Sequence, residues 1–322
     1  MIMNINGKQK AIDWSWVILI NFLWATQVPV IRLIGNRLGG ITVAFIPMLV
    51  STIIFLPFLW VENRRRNVKM RWKFQEVKDF ILPGLIGIFL MQYLYTYGSR
   101  LTLAANAGII TLTIPVMVAV FASFMLQEKL NIVRILSFLL AIAGVLLTSV
   151  SDLTGADFIH GEYLSGNLIF LFACVCCGFY NTYCKLLVDK NYTELEILVY
   201  SSVIGSIASI PLLIWAEPFH IKAFMNSGTV ALMGMLELSL IVYGVSSLLF
   251  FYVLKRMDVT QAILGNYLLP FFIAILGIIL LKEQVTLLML LGGAIILLST
   301  LMVTVYEQKL LLYFKGGTKS IF

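Results

Sequence analysis

Apolar segments of membrane length fill most of this chain. A helix needs roughly 20 apolar residues to cross a bilayer, because it rises only about 1.5 Å per residue. Ten such segments occur, at residues 14–34, 41–61, 80–98, 101–126, 132–150, 164–187, 197–216, 230–254, 260–281 and 285–305. In lipid, backbone hydrogen bonds have to close within each segment, so the sequence predicts an all-α integral membrane protein with ten transmembrane helices.

The composition excludes a soluble globular fold. The chain is 60% apolar and 12% charged, and its mean hydropathy is +0.96, which leaves too few charges to cover a surface in water. The first segment follows Lys8 and Lys10, as a signal peptide would. Its apolar run is longer than a signal core and no small-x-small cleavage site follows it, so a retained helix is predicted.

A 35-residue stretch recurs 155 positions later in the chain. Residues 94–128 align with residues 249–283 without a gap, and a mid-segment Pro and a closing Glu recur with the same 13-residue spacing. The identical pairs are Leu94/Leu249, Tyr97/Tyr252, Ala107/Ala262, Pro115/Pro270, Ala119/Ala274, Leu126/Leu281 and Glu128/Glu283. Both Pro and Glu are rare inside membrane spans, so their shared spacing indicates an internal repeat of the kind that secondary transporters contain.

Five helices in each half place the second copy upside down relative to the first, because an odd number of crossings reverses the side on which a repeat begins. The sequence therefore predicts two inverted five-helix repeats, over residues 14–150 and 164–306. Residues 151–163 form an acidic linker with Asp152, Asp157 and Glu162 and with no Lys or Arg. Residues 1–13 and 307–322 are the predicted terminal tails.

Positive charge predicts the orientation, since the side of a membrane protein that holds the excess of Lys and Arg is normally cytoplasmic. With both tails on one side, that side holds 18 of the 23 Lys and Arg, and the acidic linker lies outside. Both termini are therefore predicted to be cytoplasmic, in a multi-pass protein of the cell (inner) membrane. The net charge of +7 has the same origin and points to the lipid bilayer rather than to nucleic acid as a partner.

The chain resembles a known family, the ten-helix EamA-type permeases of the drug/metabolite transporter superfamily. The resemblance covers nearly the whole chain. It depends on the duplicated five-helix unit, on Pro115 and Pro270 in the fourth helix of each unit, and on Glu128 and Glu283 at the ends of those helices. Trp24, with Ala25 after it, is similar to the Trp-containing first helix of that family.

The resemblance implies a polytopic carrier rather than an enzyme, commonly an exporter of amino acids or other small amphiphilic metabolites, without an organic cofactor. A sugar or nucleotide-sugar permease of the same superfamily is the alternative that it leaves open. By similarity, the phosphate-carrying branches need basic residues in the pore. Here Lys185, Lys255 and Arg256 all lie near predicted cytoplasmic helix ends, which disfavours a phosphorylated substrate. The sequence is compatible with either a monomer or a homodimer as the assembled protein.

Glu237 is the one acidic residue within an apolar segment, eight positions into the eighth segment. A charged side chain at the centre of a span costs about 2.5–3.5 kcal/mol on insertion scales, and such residues usually face a cavity or a partner. The functional interpretation is a proton-coupling carboxylate or an anchor for a substrate ammonium group. The structural alternative is a hydrogen bond close to the outer interface.

Uncharged polar and aromatic residues at helical spacing are the candidates for substrate binding. They lie in the first, third, fourth, sixth and ninth segments, some of them beside a Pro that is expected to kink its helix. Contacts between helices are the alternative role for such residues. The candidates are Gln27, Gln92, Tyr93, Asn106, Thr111, Tyr180, Asn181, Asn266 and Tyr267.

Four further residues are assigned a structural role. Pro115 and Pro270 are expected to kink their helices. Glu128 and Glu283 are placed by the pattern at carboxyl-terminal helix ends, where the helix dipole disfavours a carboxylate. A compensating contact, such as an ion pair or a cap that closes the fold, is therefore predicted for each Glu.

Two other classes of protein have to be considered. An intramembrane enzyme acting on a lipid-linked substrate would need clustered carboxylates or a nucleophile motif, and the sequence contains neither HExxH nor GxSxG. A passive channel would normally build its filter by oligomerisation. The four cysteines all lie in the sixth segment without an accompanying His, so no metal site is predicted.

Overall fold

A computed structural model describes residues 7–67, 74–125, 132–148, 163–217, 220–256 and 264–304. Within these ranges the regular elements are helices, and none of them is a β-strand. The helices are α1 (Ile12–Ile34), α2 (Gly40–Arg65), α3 (Val77–Leu101), α4 (Ala104–Met125), α5 (Ile132–Thr148), α6 (Leu164–Asp189), α7 (Glu194–Ala216), α8 (Ile221–Met225), α9 (Thr229–Leu254), α10 (Gly265–Leu281) and α11 (Leu287–Thr304).

Seven of these helices, α1 to α4, α6, α7 and α9, are long and apolar enough to cross a membrane. They coincide with predicted segments one to four and six to eight. At the other three predicted segments, the apolar helices within the described residues are shorter, at Ile135–Gly144, Gly265–Leu281 and Leu287–Ser299. An all-helical membrane protein is therefore confirmed, while the count of ten crossings stays a prediction.

The outer surface of the helices is apolar and their interior holds polar side chains. Trp215 and Ile53 are 81% and 69% exposed, whereas Thr96, Asn106 and Asn167 are fully buried. A water-soluble protein rarely shows this arrangement, because a large exposed apolar surface is unfavourable in water but not in lipid. We infer that the apolar surface faces the hydrocarbon and that the polar interior holds the site.

Departures from regular α-helical geometry occur in several helices, among them α3, α4 and α9. A π-helical segment, Pro83–Leu90, lies in α3, and another, Leu238–Val245, lies 155 positions later in α9. Helix α4 is interrupted at Leu112 and Thr113, just before Pro115, whose ring and missing N–H disrupt the hydrogen bonding of the preceding turn. Single π-helical turns inside α-helices are frequent at functional sites.

Glycines allow the closest helix contacts. At Gly98 of α3 an added β-carbon would lie 2.7 Å from the backbone nitrogen of Phe170 in α6. At Gly144 of α5 it would lie 2.5 Å from the side chain of Ile296 in α11. Small residues at helix crossings let backbones approach each other, which is a main source of helix association in lipid. The close packing of α3 against α6, and of α5 against α11, therefore depends on these glycines.

Replacing Gly98 with Ala is expected to lower stability, because the backbone of Phe170 cannot move aside as a flexible side chain could. The expected loss is about 1–3 kcal/mol, as for other overpacked contacts. Thermal unfolding of the purified protein in detergent measures it. Gly293→Ala is the matched control, since an added β-carbon there has no neighbour closer than 3.4 Å. Equal melting temperatures for the two variants would contradict the prediction.

Candidate functional site

A central cavity lies between helices α1, α2, α3, α4, α6, α7, α9 and α10. It holds about 930 Å³ of empty space, the part open to solvent included. The described residues of α5 and α11 contribute nothing to its lining; these helices contact each other instead. The cavity is thus surrounded by the helices that carry the predicted polar residues.

Six of the nine predicted substrate-binding residues line this cavity. They come from five helices that are far apart in sequence, and the fold brings them together around one space. Two of these five helices, α4 and α10, also contain Pro115 and Pro270. The six residues are Gln27, Gln92, Thr111, Tyr180, Asn181 and Asn266.

The other three predicted substrate-binding residues lie outside the lining. Tyr93 is half-buried and contacts Tyr97 in the same helix, with ring centroids 4.6 Å apart. Asn106 is fully buried in α4, and its amide has no hydrogen-bond partner among the described residues. Tyr267 is half-buried and packs against the apolar core. Helical spacing alone did not separate these positions from the cavity face.

Much of the lining consists of aromatic residues that the sequence did not single out for the site: Trp24, Tyr95, Tyr243, Phe250 and Phe251. The rings of Trp24 and Phe250 contact each other, with centroids 5.0 Å apart. A sequence signal existed for part of this set, because Tyr243, Ser247 and Phe250 follow one another at helical spacing and include the one Tyr of that segment's midsection.

A hydrogen-bonded cluster joins three helices at the cavity wall. The side-chain amide nitrogen of Gln27 in α1 donates to the amide oxygen of Gln92 in α3 at 3.2 Å and to the hydroxyl oxygen of Tyr243 in α9 at 3.1 Å. This arrangement leaves the amide nitrogen of Gln92 and the hydroxyl hydrogen of Tyr243 as donors for a bound molecule. The cluster can therefore bind a polar group of a substrate and connect it to α1, α3 and α9.

Glu237 lies beside this cluster rather than in the cavity lining. It is the last residue of a regular helical stretch in α9, directly before the π-helical segment. The hydroxyl group of Thr26, which precedes Gln27 in α1, donates to its Oε1 atom. Its Oε2 atom is buried and has no hydrogen-bond partner in the described part of the chain. One oxygen of this carboxyl group is thus available for a proton or a cation.

The cavity lining carries no charge in the part of the chain that the structure describes, since no Lys, Arg, His, Asp or Glu is among its residues. Its polar groups are largely amides and hydroxyls, and its apolar groups are aromatic rings together with aliphatic and methionine side chains. Tyr and Trp combine an apolar body with a polar group, and aromatic faces attract cations. Such a lining suits a neutral, zwitterionic or cationic amphiphile better than an anion.

Glu283 contacts two other helices at the end of the protein opposite to Lys185 and Lys255. Its carboxylate pairs with Arg32 at 2.7 Å and accepts the backbone N–H groups of Ala104 and Ala105 at 3.0 and 3.2 Å. It therefore caps the first turn of α4 while it pairs with α1. Pro270 stands at the start of a regular helical stretch after the 3₁₀ turn Leu264–Leu268. Glu128 lies outside the described residues.

The four cysteines are free thiols in α6. Cys177 reaches the cavity, and Cys174, Cys176 and Cys184 are buried in helix contacts. Within the described ranges no three His, Cys, Asp or Glu side chains come together as a metal site would require. The three buried cysteines pack as small apolar side chains do.

Comparison with known proteins gives matches along most of the chain. The model of the EamA-like transporter family matches residues 14–150 and, separately, residues 164–305. The uncharacterized transporter YoaV of Bacillus subtilis is 19% identical over 271 residues, which are 84% of this chain and 89% of that protein. A WAT1-related chloroplastic protein of Arabidopsis thaliana is 24% identical, over 86% of this chain and 66% of its own.

Two further similarities concern a named transporter and a fold. The S-adenosylmethionine uptake transporter of Rickettsia bellii is 25% identical over 65% of this chain and 67% of its own. A protein crystal structure superposes with a TM-score of 0.61 at 17% identity, covering 92% of this chain and 99% of that one, and so shares the fold. With both halves matched by one family model, the chain belongs to the EamA-like transporter family, within the drug/metabolite transporter superfamily.

Proposed function

We propose that this protein is a secondary transporter that moves a small organic amphiphile, an amino acid or a similar metabolite, across the cell (inner) membrane by alternating access. The observation that carries the proposal is the uncharged polar and aromatic cavity between the helices of a transporter-family fold. Export is the proposed direction, and Glu237 is the proposed proton-coupling group. The protein acts as a carrier rather than as an enzyme.

The proposed topology has ten crossings in two inverted five-helix repeats with cytoplasmic termini. The separate family matches over residues 14–150 and 164–305 support two homologous units. Three ion pairs support a common side for the basic helix ends, because they join residues from the ends of α1, α3, α6, α7 and α9. The pairs are Arg256–Asp13 at 3.0 Å, Lys190–Asp79 at 3.1 Å and Lys255–Glu194 at 2.6 Å.

The cavity also supports the choice of substrate class. A phosphorylated sugar or nucleotide would need basic side chains, and the described lining offers none. A zwitterion can be bound by the amide and hydroxyl donors of Gln92 and Tyr243 at its carboxylate, with aromatic faces around the ammonium group. Transport of a sugar or a nucleotide sugar, as by other permeases of the same superfamily, is therefore the weaker alternative.

Uptake of an organic cation is a second candidate function. The name of the Rickettsia relative, an S-adenosylmethionine uptake transporter, favours it, because that compound combines a sulfonium cation with an amino acid and an aromatic base. The aromatic lining and the nearby Glu237 carboxyl group are compatible with such a cation. Uptake and export differ in the direction of gradient-driven flux, so one transport experiment separates them.

Flux in proteoliposomes tests the proposal. Vesicles are loaded with radiolabelled amino acids, S-adenosylmethionine and neutral sugars, and a pH gradient of either sign is imposed. Saturable, gradient-dependent movement of one label identifies a carrier, its substrate and its direction. Flux that does not saturate would indicate a channel, and conversion of a label into a product would indicate an enzyme.

Replacing Gln27 with Leu is expected to weaken substrate binding. The change removes the donor that holds Gln92 and Tyr243 in place, and a broken buried hydrogen bond of this kind costs about 1–3 kcal/mol. The KM of the transported label should rise roughly tenfold with kcat changed less, as 1.4 kcal/mol corresponds to tenfold in binding. Gln284→Leu, at an exposed position beyond α10, is the control. An unchanged KM in the Gln27 variant would exclude the cluster from binding.

A further inference from the structure

A polar cleft lies between the carboxyl-terminal ends of α2, α6 and α9 and the start of α7. Its lining combines basic and acidic side chains, in contrast to the uncharged cavity. It holds about 1050 Å³ of empty space, the part open to solvent included. The residues that carry the argument are Glu62, Arg66, Lys185, Asp189, Thr193 and Lys255.

The cleft lies one helical turn from the cavity along α6 and α9. In α6, Asn181 lines the cavity and Lys185, four residues on, lines the cleft. In α9, Phe251 lines the cavity, and Lys255, four residues on, lines the cleft. Residues four apart lie one above the other on an α-helix, about one turn apart. A molecule that moves from the cleft to the cavity therefore passes along one turn of α6 and α9.

The opposite end of the cavity is closed by packing and hydrogen bonds. Beyond Gln27, the next turns of α1 carry Ile31 and Ile34, which have no exposed surface. At that end the carboxylate of Glu217, after α7, accepts the backbone N–H of Thr42 in α2 at 2.8 Å. It also accepts the N–H of Ile41 at 3.0 Å. The cleft is thus the polar space that lies on the other side of the cavity from this closed end.

The basic side chains of the cleft are paired in ways that a ligand can replace. Lys185 lies 3.1 Å from Asp189, and Arg66 lies 3.8 Å from Glu62. Asp189 is 54% exposed, and the lysine of the 2.6 Å pair Lys255–Glu194 is 39% exposed. Partly exposed ion pairs contribute little net stability, so exchanging one carboxylate partner for another costs little.

We propose that this cleft is a first binding site for the carboxylate of a zwitterionic substrate, with Lys185 and Lys255 as its partners. Glu62 and Asp189 face the ammonium group of the same substrate. The inference rests on the proposed function and deepens it, because it assigns charge recognition to the cleft and shape recognition to the cavity. Charged side chains in an open cleft raise the local concentration of a complementary ligand, an effect that salt screens.

The sidedness of the effect distinguishes this role from a structural one. A first binding site affects substrate that arrives from its own face of the membrane, whereas a folding defect lowers transport from both faces. The transport of a substrate without a carboxylate should also not be weakened when the lysines are removed. These two properties define the experiment.

The wild type, Lys185→Gln, Lys255→Gln and the double variant are reconstituted in proteoliposomes of known orientation. The probes are the radiolabelled amino acid that the wild type transports and its carboxamide, which retains the ammonium group. For the double variant we expect the KM of the amino acid to rise roughly fivefold to tenfold from the cleft face and to stay unchanged from the other face. Higher salt should raise the wild-type KM from the cleft face in the same way.

Lys190→Gln is the matched control, because Lys190 is an exposed, ion-paired lysine on the same segment that does not line the cleft. Carboxamide flux that does not fall in any variant shows that the proteins fold. Equal changes from both faces, or an equal effect of Lys190→Gln, would overturn the inference and leave the proposed transport intact. A wild type that carries no amino acid at all would overturn the proposed function and the inference with it.

Discussion

Glu237→Gln is expected to abolish gradient-driven flux while leaving substrate exchange in place. The amide keeps the size of the carboxyl group and can still accept the hydrogen bond that Thr26 donates, but it cannot take up or release a proton. A carrier that lacks its proton site can still exchange one substrate molecule for another. Net flux under a pH gradient should therefore fall to the level of empty vesicles.

The surroundings of Glu237 explain why the expected effect is large. Its Oε2 atom is buried without a hydrogen-bond partner in the described chain, next to the cluster of Gln27 and Tyr243 that bounds the cavity. An acidic group inside a membrane span costs about 2.5–3.5 kcal/mol on insertion scales. A residue held there only as a hydrogen-bond acceptor could be Gln at lower cost.

Two controls separate coupling from structure. Thr26→Ser keeps the hydroxyl donor and should transport like the wild type. Counterflow of labelled against unlabelled substrate, without a gradient, measures exchange directly. Equal loss of binding and flux in Glu237→Gln, with wild-type pH dependence, would count against proton coupling and favour a structural role.

Glu283→Gln is expected to destabilise the protein by about 3 kcal/mol, the loss typical when one partner of a buried ion pair is removed. The Glu283 side chain is 5% exposed, and its pairing partner Arg32 is 22% exposed. The same carboxylate accepts the first backbone N–H groups of α4. Gln offers one acceptor oxygen and points an N–H toward donors, so both the ion pair and part of the cap are lost.

Thermal unfolding in detergent measures this loss, and a double-mutant cycle with Arg32→Gln assigns it to the pair. The second substitution should add little once the first has been made, because the two residues contribute one shared interaction. Gln284→Ala, at the next and exposed position, is the control and should change stability by less than about 0.5 kcal/mol. Unchanged expression, stability and flux in Glu283→Gln would refute a structural role.

Helix positions could be read from the sequence with good accuracy. The predicted segment 41–61 is Gly40–Arg65 in the structure, and 230–254 is Thr229–Leu254. Lipid makes this possible, because a membrane helix has to be apolar over its whole crossing and closes its own backbone hydrogen bonds. Polar residues within such runs, such as Gln92 and Asn181, line the interior cavity, and their role in substrate binding stays a prediction.

The aromatic part of the cavity lining could not be predicted in the same way. Trp24, Phe250 and Phe251 lie in apolar runs, and an aromatic ring in such a run is equally suited to lipid, to helix packing and to a cavity wall. Helical periodicity tells which residues share a face but not what that face meets. Tyr93 is a residue that the sequence placed at the cavity and the structure does not. It lies next to Gln92 in α3 but contacts Tyr97 instead of lining the cavity.

The sequence by itself therefore determined that this protein lies in a membrane, that it is helical and which family it belongs to. These properties follow from local hydropathy and from a repeated pattern. The tertiary structure alone decided which residues meet. It brought Glu283 to Arg32 and to the start of α4, and Glu237 to Thr26, across more than 170 positions of chain in each case. Such contacts depend on the order in which helices pack, and in lipid that order is set by close shape fit and buried hydrogen bonds, which local sequence does not encode.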